Sequence, residues 1–470
     1  MIRTCGFSFL MLLLFSVCHA RQDKSNPQSN AGISQIAGIS QITEGRVTST
    51  ISFLASDELA GRGTATPEFN IAAAYVASRF RGAGLTGGAE GSYYHETIMR
   101  MVQIPNGPII ALNADNTPIQ HLGLLASGSE PFTYSGELKV IDLSAELPDA
   151  DLNGVVGGVY QGDARGPRLN SQIVRMANKL GSAGAKMLML GVSTDSELVR
   201  LAQQAAEKPR PESAQGQFAI PVLLVPDTAL ATTSLTLKIP ATVVSKAPMR
   251  NVIGVLQGTD PVGSNEAILF SAHLDHLGVR KGIGDGIFNG ADDDASGVTA
   301  VLMLADAFGA MPKPKRTVLF MTFWGEESGL LGSKQFAAKP TWPLDKIIAN
   351  INIEMIGRPE PGANNKIWMT GWQESNLGTI MNIASMAHGI EIFEHPLHSS
   401  RLYRASDNWS FVQKGVTAHS FSAGSLHADY HQPDDEWEKL EIPHMTRVIQ
   451  GLFYASQPLL DGTATPAKRQ

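Results

Sequence analysis

Several short stretches of this chain set histidine beside carboxylates in ways that suit a bound cation. An apolar run of strand length, Ala267 to Ala272, closes as Ser271-Ala272-His273-Leu274-Asp275-His276, so His273 emerges where strand gives way to loop. A lone histidine there would more often be structural. Two residues on, Asp275 can accept from its other imidazole nitrogen, an arrangement that fixes the tautomer of a ligating histidine. His276 competes with His273 for the role. Next comes Asn289-Gly290-Ala291-Asp292-Asp293-Asp294-Ala295-Ser296-Gly297, directly before a helical pattern. Acids cap helix N-termini in any case, but three in a row exceed what a cap needs. Crowding them costs repulsion unless a cation sits among them, and one carboxylate can bridge two ions.

A second apolar run ends Thr322-Phe323-Trp324-Gly325-Glu326-Glu327. Paired glutamates at a strand end fit a division of labour in which one holds metal and its neighbour takes a proton from water. The third run, Asn352-Ile353-Glu354-Met355-Ile356-Gly357, sets an acid inside an otherwise apolar strand, where an unpaired carboxylate costs several kcal/mol. Asp429-Tyr430-His431-Gln432-Pro433 adds a second candidate imidazole on a polar loop. Histidines plus carboxylates suit zinc, with manganese or cobalt allowed by ligand type.

The elements that must position these groups follow from hydrophobic periodicity. Apolar runs at Ala267 to Ala272, Thr317 to Phe323 and Ile347 to Ile353 alternate with helical patterns at Val298 to Phe308 and around Leu377 to Gly389. This rhythm predicts an α/β fold whose mixed, largely parallel sheet is sandwiched by helices, with ligands at the carboxyl ends of the strands. Between Ile42 and Leu85, helical spacing broken by Gly61-Arg62-Gly63 predicts two helices around a loop. From about 107 to 246 the texture changes. Short β-prone pieces (Leu138 to Leu143, Val155 to Tyr160, Met187 to Val192, Ile220 to Val225) surround one helical stretch, Gln172 to Ala183, which predicts an inserted small α/β module without chemistry of its own.

The 470 residues are 43% hydrophobic and 17% charged, ordinary for a globular protein, and a net charge of −7 offers no basic stripe for nucleic acid. The first twenty residues read as a secretory signal, with an apolar stretch from Phe7 to Val17 too short to span a bilayer and no later segment long enough for an integral membrane protein. The expected location is exported, periplasmic or extracellular, with lipid anchoring at Cys18 the lesser alternative. Both cysteines, Cys5 and Cys18, lie in this leader, so any metal in the mature chain is held by histidine and carboxylates. The expected organisation is signal peptide 1–20, tether 21–44, first part of the catalytic domain 45–106, insertion 107–246, second part 247–460 and tail 461–470. Ala31 to Ile36 is repeated at 37 to 42, a short duplication rather than a solenoid.

Taken together, His273-Leu274-Asp275, Gly290 to Gly297, Gly325-Glu326-Glu327, Ile353 to Gly357 and Tyr430-His431 resemble the M28 family of zinc aminopeptidases, over about 45–106 and 248–460. The insertion looks like a protease-associated (PA) domain. The resemblance implies two zinc ions, one held by His273, Asp293 and Glu354 and the other by Asp293, Glu327 and His431. It further implies Glu326 as general base, Asp275 orienting His273, Tyr430 donating to the oxyanion, and peptides with a free N-terminus as substrates. The chain departs from the family in having Glu354 where Asp is usual, Asp294 where Asn is common, and Asn408 where His often follows a Ser-Asp pair. Related scaffolds also carry glutaminyl cyclases, carboxypeptidases and non-catalytic binding ectodomains. Oligomeric state and side-chain specificity have no readable code.

Overall fold

The computed structural model describes residues 36–469 apart from 105–106, 147–150, 163–166, 208, 213–217, 281–283 and 425. The leader with both cysteines, and most of the tether with the first copy of the repeat, lie outside the described residues. Four apolar stretches form the centre: β1 (Ala267–His273), β2 (Thr317–Phe323), β3 (Ile347–Ile353) and β4 (Ala418–Ser422). β1 runs parallel to both β2 and β3, and β4 is parallel to β3. Strands covered on both faces read as continuous apolar runs, which is why periodicity detected the first three so cleanly. One face packs under Glu44–Leu54, Pro67–Gly82, α1 (Gly297–Gly309) and Ile442–Leu460, through Ile51, Phe80, Val301 and Phe453. The other face packs under the shorter Leu331–Ala338 and Asn408–Val412 through Phe336 and Phe411.

The sheet is mixed. Val243–Leu256 lies antiparallel to β2, and Tyr94–Gln103 is antiparallel to it from Gln103 opposite Val243 to Tyr94 opposite Val252. These two strands are the way into and out of a second, seven-stranded sheet built from strands between Ile110 and Ile239, which has helices at Pro167–Ser182 and Glu197–Glu207 and apolar clusters of its own. Arg210–Pro211 returns from that layer to pair with Met101 and Val102 at the edge of the main sheet. The helix Glu197–Glu207 was not expected from sequence. Its buried face relies on Ala202 and Ala205 beside Leu198, and alanine contributes little to an apolar periodicity. Among the described residues no helix is long and apolar enough to cross a membrane.

α1 begins hard against the sheet. A Cβ on Gly297 would stand 2.1 Å from the Ile353 carbonyl oxygen and 2.4 Å from Asp294 Oδ1. Gly297→Ala should therefore push the helix off the end of β3 and cost about 1–3 kcal/mol. Urea unfolding checks this, and a loss below about 0.5 kcal/mol, the range of a surface substitution, would contradict the close packing.

Candidate metal centre

Parallel neighbours end at the same edge of a sheet, so the last residues of β1, β2 and β3 and the chain beyond β4 converge there. His273 is the final residue of β1. Glu326 and Glu327 follow β2 through Gly325, whose φ of +66° turns the chain. Glu354 was expected within a strand, but β3 stops at Ile353. The next residue but one, Met355, has φ 49°, and Glu354 faces a cavity rather than the core. His431, at φ 57°, is likewise left-handed, a conformation that costs a non-glycine residue of order 1–3 kcal/mol and tends to persist at functional sites.

Asp293 is the centre of the cluster. Its Oδ1 lies 3.1 Å from His273 Nε2 and its Oδ2 3.1 Å from His431 Nε2. His431 Nε2 is also 3.2 Å from Glu327 Oε2. The five side chains expected to ligate thus meet at one edge: His273, Asp293 and Glu354 line a cavity of about 90 Å³, while Glu327 and His431 line a wider one of about 790 Å³, with Glu326 and Tyr430 bordering both. The Tyr430 ring stacks on that of His431, centroids 3.9 Å apart. Glu354 accepts hydrogen bonds from Asn352 and Ser406, which fix the longer side chain in the narrow cavity.

Two expectations need correction. The acceptor for His273 Nδ1 is the backbone carbonyl of Asp275, at 2.9 Å, and not its carboxylate. That carboxylate instead accepts from Thr64 Oγ1 at 2.9 Å and from the Glu326 amide at 3.1 Å, so Asp275 steadies the glutamate loop as well as His273. His276, which ranked behind His273, is also in the centre. Its Nδ1 lies 2.7 Å from Glu327 Oε1, yet neither buried atom has an aligned hydrogen bond.

Buried charge here is unbalanced. Burial, reinforced by neighbouring carboxylates, raises Asp294 and Glu326 well above the usual range, Glu354 to about 8 and Asp407 to about 7. Burial works against charge on His273 and His431 as well, but the surrounding acids outweigh it, holding His273 well above an ordinary imidazole and His431 at about 10. The donors of His276, Asp293 and Glu327 lie within 4.8 Å of one another. Buried donors that approach without bonding, in a nitrogen and oxygen set free of thiolate, fit a divalent cation of the zinc type.

Sequence reasoning missed the scaffold behind these groups. Arg62 is fully buried and donates to the carbonyls of Leu54, Leu274 (2.9 Å), Asn289 (2.7 Å) and Gly290 (3.0 Å), tying both ligand-bearing loops to the N-terminal helices. Burial lowers its pKa to about 10 despite Asp294, Asp275 and Asp435 nearby. Asp435 accepts from the amides of Asp292 and Asp293, at 3.1 Å each. Asp294 accepts from the amides of His273 (3.1 Å), Gly297 (3.1 Å) and Met355 (3.4 Å), using both carboxylate oxygens where an asparagine has one. An arginine flanked by glycines amid helical patterns was the available signal for Arg62. A second grouping, Glu360 with His395 and His398, is of another kind. His395 Nδ1 accepts from the amides of Leu397 and His398, so its Nε2 carries the proton and donates to Glu360 instead of ligating.

Residues 251–455, the span containing every expected ligand, match the model of peptidase family M28. They form a peptidase family M28 domain. The chain shares 38% identity over 107 residues with a probable zinc metalloprotease of Pyrenophora teres f. teres, covering 23% of this chain and 22% of that protein. It shares 27% identity over 198 residues with a probable glutamate carboxypeptidase of Arthroderma benhamiae, covering 38% and 24%. These matches therefore span about a quarter or less of the relatives' own length. The fold is similar to that of an aminopeptidase from Aneurinibacillus sp. strain AM-1, with TM-score 0.59 and 19% identity over 90% of this chain and 95% of that one. At that identity the likeness is one of fold, and it covers the α/β architecture as a whole.

Arg62→Met removes a buried cation and takes its donors from the carbonyls of Leu54, Leu274 and Asn289, while the Gly290 carbonyl keeps the Ala295 amide. The expected cost is on the order of 3–5 kcal/mol, read as a lowered Tm. An unchanged Tm would mean that the loops do not depend on this guanidinium.

Proposed function

We propose that the chain is an exported zinc aminopeptidase with a dinuclear centre. The observation that carries this reading is Asp293, whose two carboxylate oxygens each face a different histidine, His273 and His431, at 3.1 Å. A carboxylate so disposed suits a ligand shared by two ions, one completed by His273 and Glu354 and the other by Glu327 and His431. His276, against Glu327, supports the second position. Bound zinc would supply Lewis acidity, polarising the scissile carbonyl and making a nearby water acidic enough to be deprotonated near neutrality.

The remaining steps belong to the chain's own residues. Glu326, raised by burial and by Glu327, Asp407 and Glu354, is suited to take a proton from water and return it to the leaving amine. The Asp275 carboxylate holds the Glu326 amide at 3.1 Å, which orients that exchange. Tyr430 stays protonated because burial, and then Asp293, Glu327 and Glu326, push its pKa far up, so it remains a hydrogen-bond donor for the developing oxyanion. The narrow cavity of about 90 Å³, walled by Met355, Trp368 and Leu402, accommodates one terminal residue, with Glu354 and Glu326 available to its free amino group. That closed end favours an exopeptidase, and the acids beside it favour an amine over a carboxylate terminus. The seven-stranded layer corresponds on this reading to a protease-associated domain.

Glu326→Gln should keep its metal content by elemental analysis while kcat falls about 10²–10⁴-fold. Unchanged turnover would remove Glu326 as the base. Aminoacyl amides should be hydrolysed, and their N-acetylated counterparts spared, in a chelator-sensitive assay; equal rates on both would reject an aminopeptidase.

A further inference from the structure

The wider cavity, about 790 Å³, shares Glu326 and Tyr430 with the narrow one and is also lined by Arg210, Arg280, Lys334 and Arg404. If the terminal residue occupies the narrow side, the rest of the peptide extends into this one, so the inference rests on the aminopeptidase reading. Its acids are unevenly used. Glu326 and Glu327 are assigned to the metal centre, which leaves Glu207 as the remaining carboxylate in the lining among the described residues.

Three of these cations rest on uncharged groups, although Glu327 and Glu207 are near enough to act on Arg280. Arg280 lies over the ring of Phe288, 4.1 Å from its centroid, and Arg404 over Trp409 at 5.0 Å. Lys334 Nζ donates to the Gly329 carbonyl at 2.8 Å and leaves its other protons available. Among the described residues, none of these three enters an ion pair within 4.0 Å. Arg210 comes from the seven-stranded layer, on the short strand that returns to Met101 and Val102. It is close enough to Arg280 for the two charges to disfavour one another, an effect that comes after burial in lowering the pKa of Arg210. Guanidinium groups present paired N–H donors that match a carboxylate. A volume of this size encloses a small molecule rather than an extended chain.

We propose that this cleft binds a carboxylate on the leaving side of the scissile bond, so that short peptides whose C-terminus falls within it are the preferred substrates. The layer that supplies Arg210 then contributes directly to substrate selection.

The test compares Ala-Ala, Ala-Ala-amide and Ala-Glu-amide with the zinc-loaded enzyme and with Lys334→Ala/Arg404→Ala, both residues exposed on the cleft wall. Arg210→Ala is the third protein. The free acid should show a KM on the order of tenfold below that of Ala-Ala-amide, and the ratio should shrink in the variants and with added salt. An advantage of Ala-Glu-amide over Ala-Ala-amide would assign the carboxylate to a side chain; its absence would assign it to the terminus. Equal KM for acid and amide, or a preference that survives both variants, overturns the proposal while leaving the aminopeptidase intact. Calorimetry of the same acid and amide with chelator-treated protein reads the cleft without turnover. A binding preference there without hydrolysis by the zinc form would retain the cleft and reject the peptidase reading.

Discussion

The site is governed by the cost of burying negative charge. Asp275, Asp292, Asp294, Asp407 and Asp435 are fully buried and Asp293 nearly so, around a single edge of the sheet. A carboxylate taken out of water without compensation is expensive, and these are compensated to different degrees, Asp407 having no aligned hydrogen bond on either oxygen among the described residues. Asp294 and Asp435 collect backbone amides, and Asp292 takes the amide of Gly357 at 2.7 Å. Asp275 takes a threonine hydroxyl and an amide. Asp293 and Glu327 are left facing imidazoles. Asp293 and Glu327, expected to hold metal, face imidazoles, whereas Asp275, Asp294 and Asp435, held by amides, shape the loops.

This partition explains why the scaffold is as specific as the ligands. Arg62, Asp294 and Asp435 are not expected ligands, yet they hold the backbone of His273, Leu274, Asn289, Asp292 and Asp293. Ligand distances must hold to fractions of an ångström, and Arg62 links the two ligand loops to a helix more than two hundred residues earlier in the chain. The N-terminal helices lie outside the span matched to family M28 but share in positioning its centre.

The inserted layer has a comparable relation to the site. Its tether is a paired ribbon, Tyr94–Gln103 with Val243–Leu256, continuous with the main sheet through β2. A ribbon joined by a ladder of backbone hydrogen bonds transmits position better than a flexible linker. Arg210 and Glu207 consequently reach the same cavity as Glu326 and His431. The sequence reading, which found no cluster of metal-ligating residues there, assigned the insertion no chemistry. A guanidinium contributed across a cleft leaves no local motif to find.

What was legible in the chain had short range. The runs that became β1, β2 and β3, the helix beginning at Gly297, and the ligand types themselves follow from periodicity and from side-chain chemistry within a few residues. With both cysteines in the first eighteen residues, the rest of the chain offers histidine and carboxylate as its metal donors, and that is read from the sequence alone. Tertiary structure decided which atoms meet. It put the backbone of Asp275, not its side chain, against His273, and brought His276 to Glu327. It also gave Arg62 its carbonyl partners and set cations from separate segments around a cleft. The reason is physical: hydrogen bonds and ion pairs depend on direction and on separations of a few ångströms between groups hundreds of residues apart, whereas strand and helix patterns depend on neighbours that the chain itself holds together.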